Sequence, residues 1–184
     1  MSRALLVIDV QVALAEADAA GAARSCPAAE TNISALLDAF RTRCELVVHV
    51  HHHGTDPDDP FHPDVPGSAV QAFAAPREGE AVVVKTGSSG FVGTGLQSLL
   101  EDSGISRVVL CGATANHCVE STTRSAADLG FQPIYVSDAV WTYDITGPDG
   151  EWHSADRIQS VSMATLEGEI ASVRCTQDVL RQSE

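Results

Sequence analysis

The chain has 184 residues, 44% hydrophobic and 20% charged, the composition of an ordinary globular protein rather than a disordered one. That length suits a single domain, residues 1–184, able to bury a sizeable core without disulfides or metals. The 11 Lys and Arg against 25 Asp and Glu leave a net charge of −14, which argues against nucleic acid and anionic membranes as partners.

In chain order, short apolar runs alternate with helical stretches. Ala4–Ile8 is apolar throughout, as in a strand covered on both faces. It ends in Asp9 with no small-residue cleavage site behind it, so no signal peptide is expected, and no apolar run approaches the roughly 18 residues of a membrane span. Thr31–Arg43 carries Ile33, Leu36, Leu37 and Phe40 at helical spacing. Leu46–Val50 and Ala81–Val84 read as the second and third strands, and Thr94–Glu101 as a helix stopped near Gly104. Arg107–Cys111 is a fourth strand, His117–Leu129 a helix closed by Gly130, and Pro133–Val136 a fifth strand. Ser160–Ile170 is helical, and Ala171–Arg174 makes a sixth, weaker strand. This alternation predicts an α/β fold: a parallel six-stranded sheet with helices on both faces.

Two segments break the rhythm. His51–Ser68 holds four prolines and no periodicity, and Trp141–His153 is turn-rich. Loops this long in a compact domain serve either a functional site or a contact between subunits.

Ligands of open parallel sheets bind beyond the carboxyl ends of the strands. The first strand ends in Asp9, followed by Gln11; the second in the His49–His53 cluster; the third in Lys85; and the fourth in Cys111-Gly112, before a short loop that carries Cys118 into a helix. An acid, a cation and a thiol therefore converge on one edge. Each alone has a bland reading, as a turn residue, a solvated side chain or a small buried hydrophobe. Together they suggest nucleophilic catalysis. Cys118, at a helix start, is the candidate nucleophile, with a thiol expected below its ordinary pKa of about 8.5. Asp9 is the expected proton acceptor, Lys85 the cation, and the N–H groups of Thr114 and Cys118 the expected oxyanion hole. The other cysteines, Cys26, Cys44, Cys111 and Cys175, form no CxxC pair and read as reduced thiols.

The segments LLVIDVQ (5–11), VVHVHH (47–52), VVVKTGSSGFVGTGL (82–96), VVLCGATANHCVESTTRSAADLG (108–130) and PIYVSDAVWTYD (133–144) span nearly the whole chain. In this order they resemble the isochorismatase-like cysteine hydrolases, which include nicotinamidases and N-carbamoylsarcosine amidases. The resemblance implies a three-layer, Rossmann-like α/β/α fold and a triad of Asp9, Lys85 and Cys118. It also implies a cis peptide between Ala113 and Thr114, and it puts Phe91 and Trp141 near the pocket as stacking groups for the substrate. Isochorismatase proper lacks the cysteine, so Cys118 points to thioester chemistry. Nicotinamidases carry an Asp-x-His metal motif, where this chain has His51-His52-His53. The expectation is therefore no metal and no cofactor, a zinc site near the histidines with His62 or Asp56 being the alternative, with His52 lining the pocket as a hydrogen-bonding group and Gln11 either lining it or anchoring the Asp9 loop.

One rival motif needs weighing. His117-Cys118-x5-Arg124-Ser125 fits the signature of cysteine phosphatases. A phosphate cradle needs a flexible loop aiming successive N–H groups at the anion. Here the intervening positions contain no glycine, and Glu120 places a like charge in the cradle. Gly93-Thr94-Gly95 likewise reads as a tight helix-capping loop rather than a phosphate site. The expectation from sequence is a cytoplasmic hydrolase cleaving a C–N bond of a small amide, ureido or carbamoyl compound through a Cys118 thioester. A homo-oligomer, dimer or tetramer, is also expected. The alternatives are hydrolysis of a non-amide bond, or a non-catalytic, thiol-sensing protein on the same scaffold.

Overall fold

The computed structural model of the chain describes residues 2–181. Six parallel strands form one sheet: β1 (Arg3–Ile8), β2 (Leu46–His52), β3 (Ala81–Lys85), β4 (Arg107–Ala113), β5 (Gln132–Trp141) and, later in the chain, the short strand Ser172–Arg174. Between β5 and that strand lies an antiparallel pair, β6 (Ile145–Thr146) and β7 (Trp152–His153), so Ser172–Arg174 is β8. The order across the sheet is β3-β2-β1-β4-β5-β8. The chain winds outward from β1 through β2 to β3, then returns to place β4 on the other side of β1. That reversal between β1 and β4 is where open α/β sheets form a crevice.

The apolar runs of β1, β2 and β4 are buried on both faces because helices cover both, whereas β3, at the sheet edge, leaves Val82 and Val84 exposed. One layer holds α1 (Val12–Ala19), α2 (Ala29–Thr42) and α6 (Thr176–Arg181), which pack Leu14, Ile33, Leu36, Leu37, Phe40 and Val179 against Leu5, Val7, Val47 and Val109. The other holds α3 (Leu96–Asp102), α4 (Glu120–Asp128) and α5 (Ala155–Leu166), which set Leu96, Leu100, Ala126 and Leu166 against Ala4, Leu6, Ile8 and Leu110. Alternate residues of β1 thus feed opposite cores, as the period of two requires.

Several boundaries differ from the sequence reading. The helix read at Ser160–Ile170 runs instead from Ala155 to Leu166, because Ser154 caps it by accepting from the Arg157 N–H and Gly168 turns the chain in the left-handed region. Helix α1 was not anticipated: VALAEADA has no apolar stripe, and only its Ala-rich propensity favours a helix. The fifth strand continues past Val136 to Trp141 through an irregularity that pairs Leu110 with Tyr135 but Gly112 with Val140. At Gly112 (φ +115°) a Cβ would lie 2.0 Å from the Ile8 carbonyl oxygen, so β1 and β4 meet this closely only through glycine. No helix among the described residues is long and apolar enough to cross a membrane.

Candidate active site

Asp9 leaves β1 with φ +50°, a left-handed conformation that Asp tolerates better than most residues. Its N–H donates to the Val50 carbonyl and its carbonyl accepts from the Gln11 N–H, each at 2.8 Å, so its orientation is set by backbone on both sides. From the end of β3, Lys85 reaches across β2 toward it. Lys85 Nζ lies 2.7 Å from Asp9 Oδ2, 3.2 Å from the Gly87 carbonyl oxygen, 3.4 Å from Cys118 Sγ and 3.4 Å from His52 Nδ1. Cys118 sits in a π-helical turn, Ala115–Val119, that joins β4 to α4. Tyr135 Oη donates to the Ala115 carbonyl and Thr122 Oγ1 to the Cys118 carbonyl, at 3.2 and 2.7 Å, which fixes that turn. The Ala113–Thr114 peptide is cis.

The electrostatics differ from the sequence expectation in sign. The Cys118 thiol is pushed up to about 12, first by burial and then by the Asp9 carboxylate, which together outweigh the lowering by Lys85. The site therefore holds a protonated thiol next to a carboxylate, not a resting thiolate. Burial raises the Asp9 pKa despite the Lys85 ammonium. Its second oxygen, Oδ1, is buried without a hydrogen-bond partner. His52 is lowered by burial and by Lys85, so it is neutral near pH 7. Asp9 and Lys85 are 3% and 1% exposed, so they belong to the packed interior and not to a solvated strand end.

Beside these groups opens a cavity of about 550 Å³. Asp9, His52, Thr114 and Cys118 line it, together with Leu14, Phe61 and other residues of the 53–61 loop. His52 stands edge-on to the Phe61 ring at 5.6 Å between centroids. Of the two readings of Gln11 the structure takes the anchoring one, and two further expectations need correction. Gln11 does not reach the cavity: it is fully buried, Nε2 donates to the carbonyls of His52 and Ser68, and Oε1 accepts from the His52 N–H. It ties the end of β1 to the end of β2 and to the loop. Phe91 stacks on Phe131 at 5.8 Å in the core behind α3. Trp141 is fully buried beneath the Arg24 guanidinium, and its Nε1 donates to Tyr143 Oη. Large rings are worth more in the core than at a half-wet rim, and both are packed there.

Sequence reasoning named Asp56 only as an alternative metal ligand and missed Asp58, Asp59 and Phe61 as cavity residues, because an aperiodic loop gives no sign of which way it folds. The glycines were the available signal: Gly67 packs so tightly that a Cβ would stand 2.3 Å from the Pro60 carbonyl oxygen. The phosphatase motif does not assemble, since Arg124 is held by Glu120 at 2.8 Å and is turned toward Thr165. The histidines of β2 diverge. His49 is buried against Glu80 at 2.9 Å, His51 is lowered to about 4 by burial, and only His52 reaches the cavity. Among the described residues no group of three or more His, Cys, Asp or Glu is arranged to hold a metal ion.

Residues 3–169 match the isochorismatase domain model. The isochorismatase family protein YrdC of Bacillus subtilis is 33% identical over 97% of this chain and 94% of its own length. A crystal structure of an isochorismatase-family protein from Chromobacterium violaceum superposes with a TM-score of 0.92 at 36% identity, covering 97% of this chain and 92% of that one. The N-carbamoylsarcosine amidase of Thermoplasma acidophilum superposes with a TM-score of 0.74 at 26% identity, over 100% of this chain and 99% of that one.

Proposed function

The chain belongs to the isochorismatase family of hydrolases, and we propose that within it the protein cleaves a C–N bond of a small amide, ureido or carbamoyl compound through a Cys118 thioester. The observation that carries this reading is the bridging position of Lys85, 2.7 Å from Asp9 and 3.4 Å from Cys118, beside a cavity that Asp9 and Cys118 both line.

A thiol at about 12 is not a nucleophile at neutral pH, so deprotonation must accompany attack. The Asp9 carboxylate interacts with the Cys118 thiol, its oxygen Oδ1 is buried and accepts from no other group, and its raised pKa makes it a stronger base than an ordinary aspartate. As Sγ bonds to the substrate carbonyl carbon, its proton passes to Asp9, and the carbonyl oxygen becomes an oxyanion. The N–H groups of Thr114 and Cys118 are the donors proposed for that oxyanion. The Lys85 ammonium offsets the charge that moves between sulfur and carboxylate. Collapse expels the amine, which takes the proton from Asp9 and leaves a thioester. Water then attacks the thioester and gives its proton to Asp9. The carboxylic acid departs as Cys118 recovers the proton.

The test is a panel of small amides, ureas and carbamoyl compounds assayed for ammonia or amine release. Cys118→Ala and the wild type are run side by side, and acid-quenched samples are weighed by mass spectrometry. Turnover lost in Cys118→Ala, with an acyl adduct on Cys118 in the wild type, is the expected result. Turnover that survives Cys118→Ala overturns the thioester mechanism.

A further inference from the structure

Lys85 Nζ has four acceptors around it and only three hydrogens to give. Asp9 Oδ2 at 2.7 Å and the Gly87 carbonyl oxygen at 3.2 Å take two of them. His52 Nδ1 and Cys118 Sγ, each at 3.4 Å, compete for the third. His52 is held for this contact. Gln11 grips its backbone on both sides, donating to the His52 carbonyl and accepting from the His52 N–H, and Phe61 packs against the ring. The two competitors are unequal. A bare imidazole nitrogen is a good acceptor and a thiol sulfur a weak one, so in the resting site the third hydrogen belongs to His52. A thiolate reverses the order, because an anion accepts more strongly than a neutral ring.

We propose that His52 is a positioning residue that holds the third Lys85 hydrogen in the resting site and yields it to the Cys118 sulfur as the thiol loses its proton. The inference deepens the hydrolase reading and rests on it, since a thiol that ionises only during attack is what such a hand-over serves. One N–H···N contact is exchanged for one N–H···S contact. Lys85 keeps all three protons, and the thiol proton goes to Asp9. Until then the sulfur lacks the cation's hydrogen and stays a poor nucleophile. The neutral ring, accepting at Nδ1, carries its own hydrogen on Nε2. The charged and titratable groups acting on His52 are Lys85 and His53, which disfavour its charge, and Asp9 and Asp59, which favour it. Those acting on the thiol are Asp9 and Lys85, and His117 also lines the cavity.

His52→Phe keeps a ring of similar size without Nδ1. His52→Asn puts an amide oxygen close to where Nδ1 stands. The readout is iodoacetamide labelling of Cys118 at pH 8, far below its midpoint of about 12, with exposed Cys44 as the internal reference. Removing one hydrogen bond of ordinary strength from the resting state should leave roughly threefold to tenfold more thiolate in His52→Phe. A less basic sulfur is also less nucleophilic, so Cys118 should label faster by about two- to fourfold. His52→Asn should label at close to the wild-type rate. If His52 were only a wall, the smaller asparagine would open the cavity most and label fastest. A His52→Phe protein no faster than wild type, or a His52→Asn protein as fast as His52→Phe, overturns the inference.

Nitrogen-15 NMR of the wild type decides the matter where a variant fails to fold. An unprotonated His52 Nδ1 whose resonance moves in Lys85→Met supports the hand-over, and a hydrogen on Nδ1 overturns it, since that nitrogen then cannot accept. Neither readout needs turnover. Their failure leaves the hydrolase reading standing, whereas a wild type that shows both and cleaves no amide sinks the hydrolase reading and keeps the Lys85 hand-over.

Discussion

Asp9 and Lys85, 76 residues apart in sequence, meet at 2.7 Å with both side chains buried. Removing such charges from water costs several kcal/mol per ion, and the pair persists only with further partners. Lys85 has them in Gly87 and Cys118. Asp9 has one oxygen committed and one free, an arrangement suited to a proton in transit more than to maximal stability. Deleting either member leaves the other charge buried alone, at roughly 3–5 kcal/mol.

Asp9→Asn separates base from electrostatics. Turnover should fall by roughly 10²–10⁴. The pH midpoint for iodoacetamide labelling of Cys118 should nevertheless move down, because the carboxylate that favours the protonated thiol is gone. In the wild type, exposed Cys44 should label before Cys118 at neutral pH. Peptide mass spectrometry against pH reads both. A Cys118 midpoint that rises in Asp9→Asn contradicts the charge assignment.

Lys85→Met keeps the volume and removes the cation. The Cys118 midpoint should rise by roughly a unit or more, since Lys85 is what lowers it. The unfolding midpoint should fall as Asp9 loses its partner, and the acid limb of kcat/KM, which Asp9 controls, should move to higher pH. That limb already lies above the ordinary aspartate value of 3.8 in the wild type, so activity is lost as pH falls through it. A Lys85→Met protein with wild-type labelling and pH profile would remove Lys85 from the site.

Gly112→Ala tests the contact between β1 and β4 at the crevice. The added Cβ would stand 2.0 Å from the Ile8 carbonyl oxygen, and φ +115° is hostile to alanine. Backbone cannot yield as a flexible side chain does, so a loss above about 4 kcal/mol is expected, or failure to fold. Gly21→Ala, with open space around it, is the control for positive φ alone. Denaturant unfolding distinguishes them, and equal losses in the two would contradict the close-approach argument.

Glu80 is the acid-stability residue. Arg41 binds it through two hydrogen bonds at 2.7 and 2.8 Å, with the Arg77 N–H and His49 as further partners, and its pKa is held down to about 2 from 4.5. A depressed carboxylate stabilises the fold above its unfolded pKa, so this contribution is present above pH 4.5 and disappears as pH falls toward 2. Glu80→Gln should cost about 1–3 kcal/mol at pH 7. Its stability should vary less with pH over that window. Urea midpoints at pH 7, 4 and 3 check the sign.

The sequence by itself determined the six strands of the main sheet, that they run parallel, and the edge at which Asp9, Lys85 and Cys118 gather, though not the strand order or the β6–β7 pair. Doubly covered strands are continuous apolar runs, and the residue that ends such a run lies at the carboxyl edge whatever else the chain does. Only the tertiary structure decided which polar groups touch. Gln11 looks like a pocket residue until the Ser68 carbonyl, 57 residues on, accepts its amide hydrogen. Trp141 looks like a stacking surface until Arg24 covers it. The direction of the Cys118 shift depended on the same thing. A helix start and a nearby lysine both favour a thiolate, but burial and the Asp9 charge act through space and outweigh them. The carboxylates of the 53–61 loop were hidden for a related reason. A loop without period has no face of its own until Gly67 packs against Pro60 and folds it over the cavity.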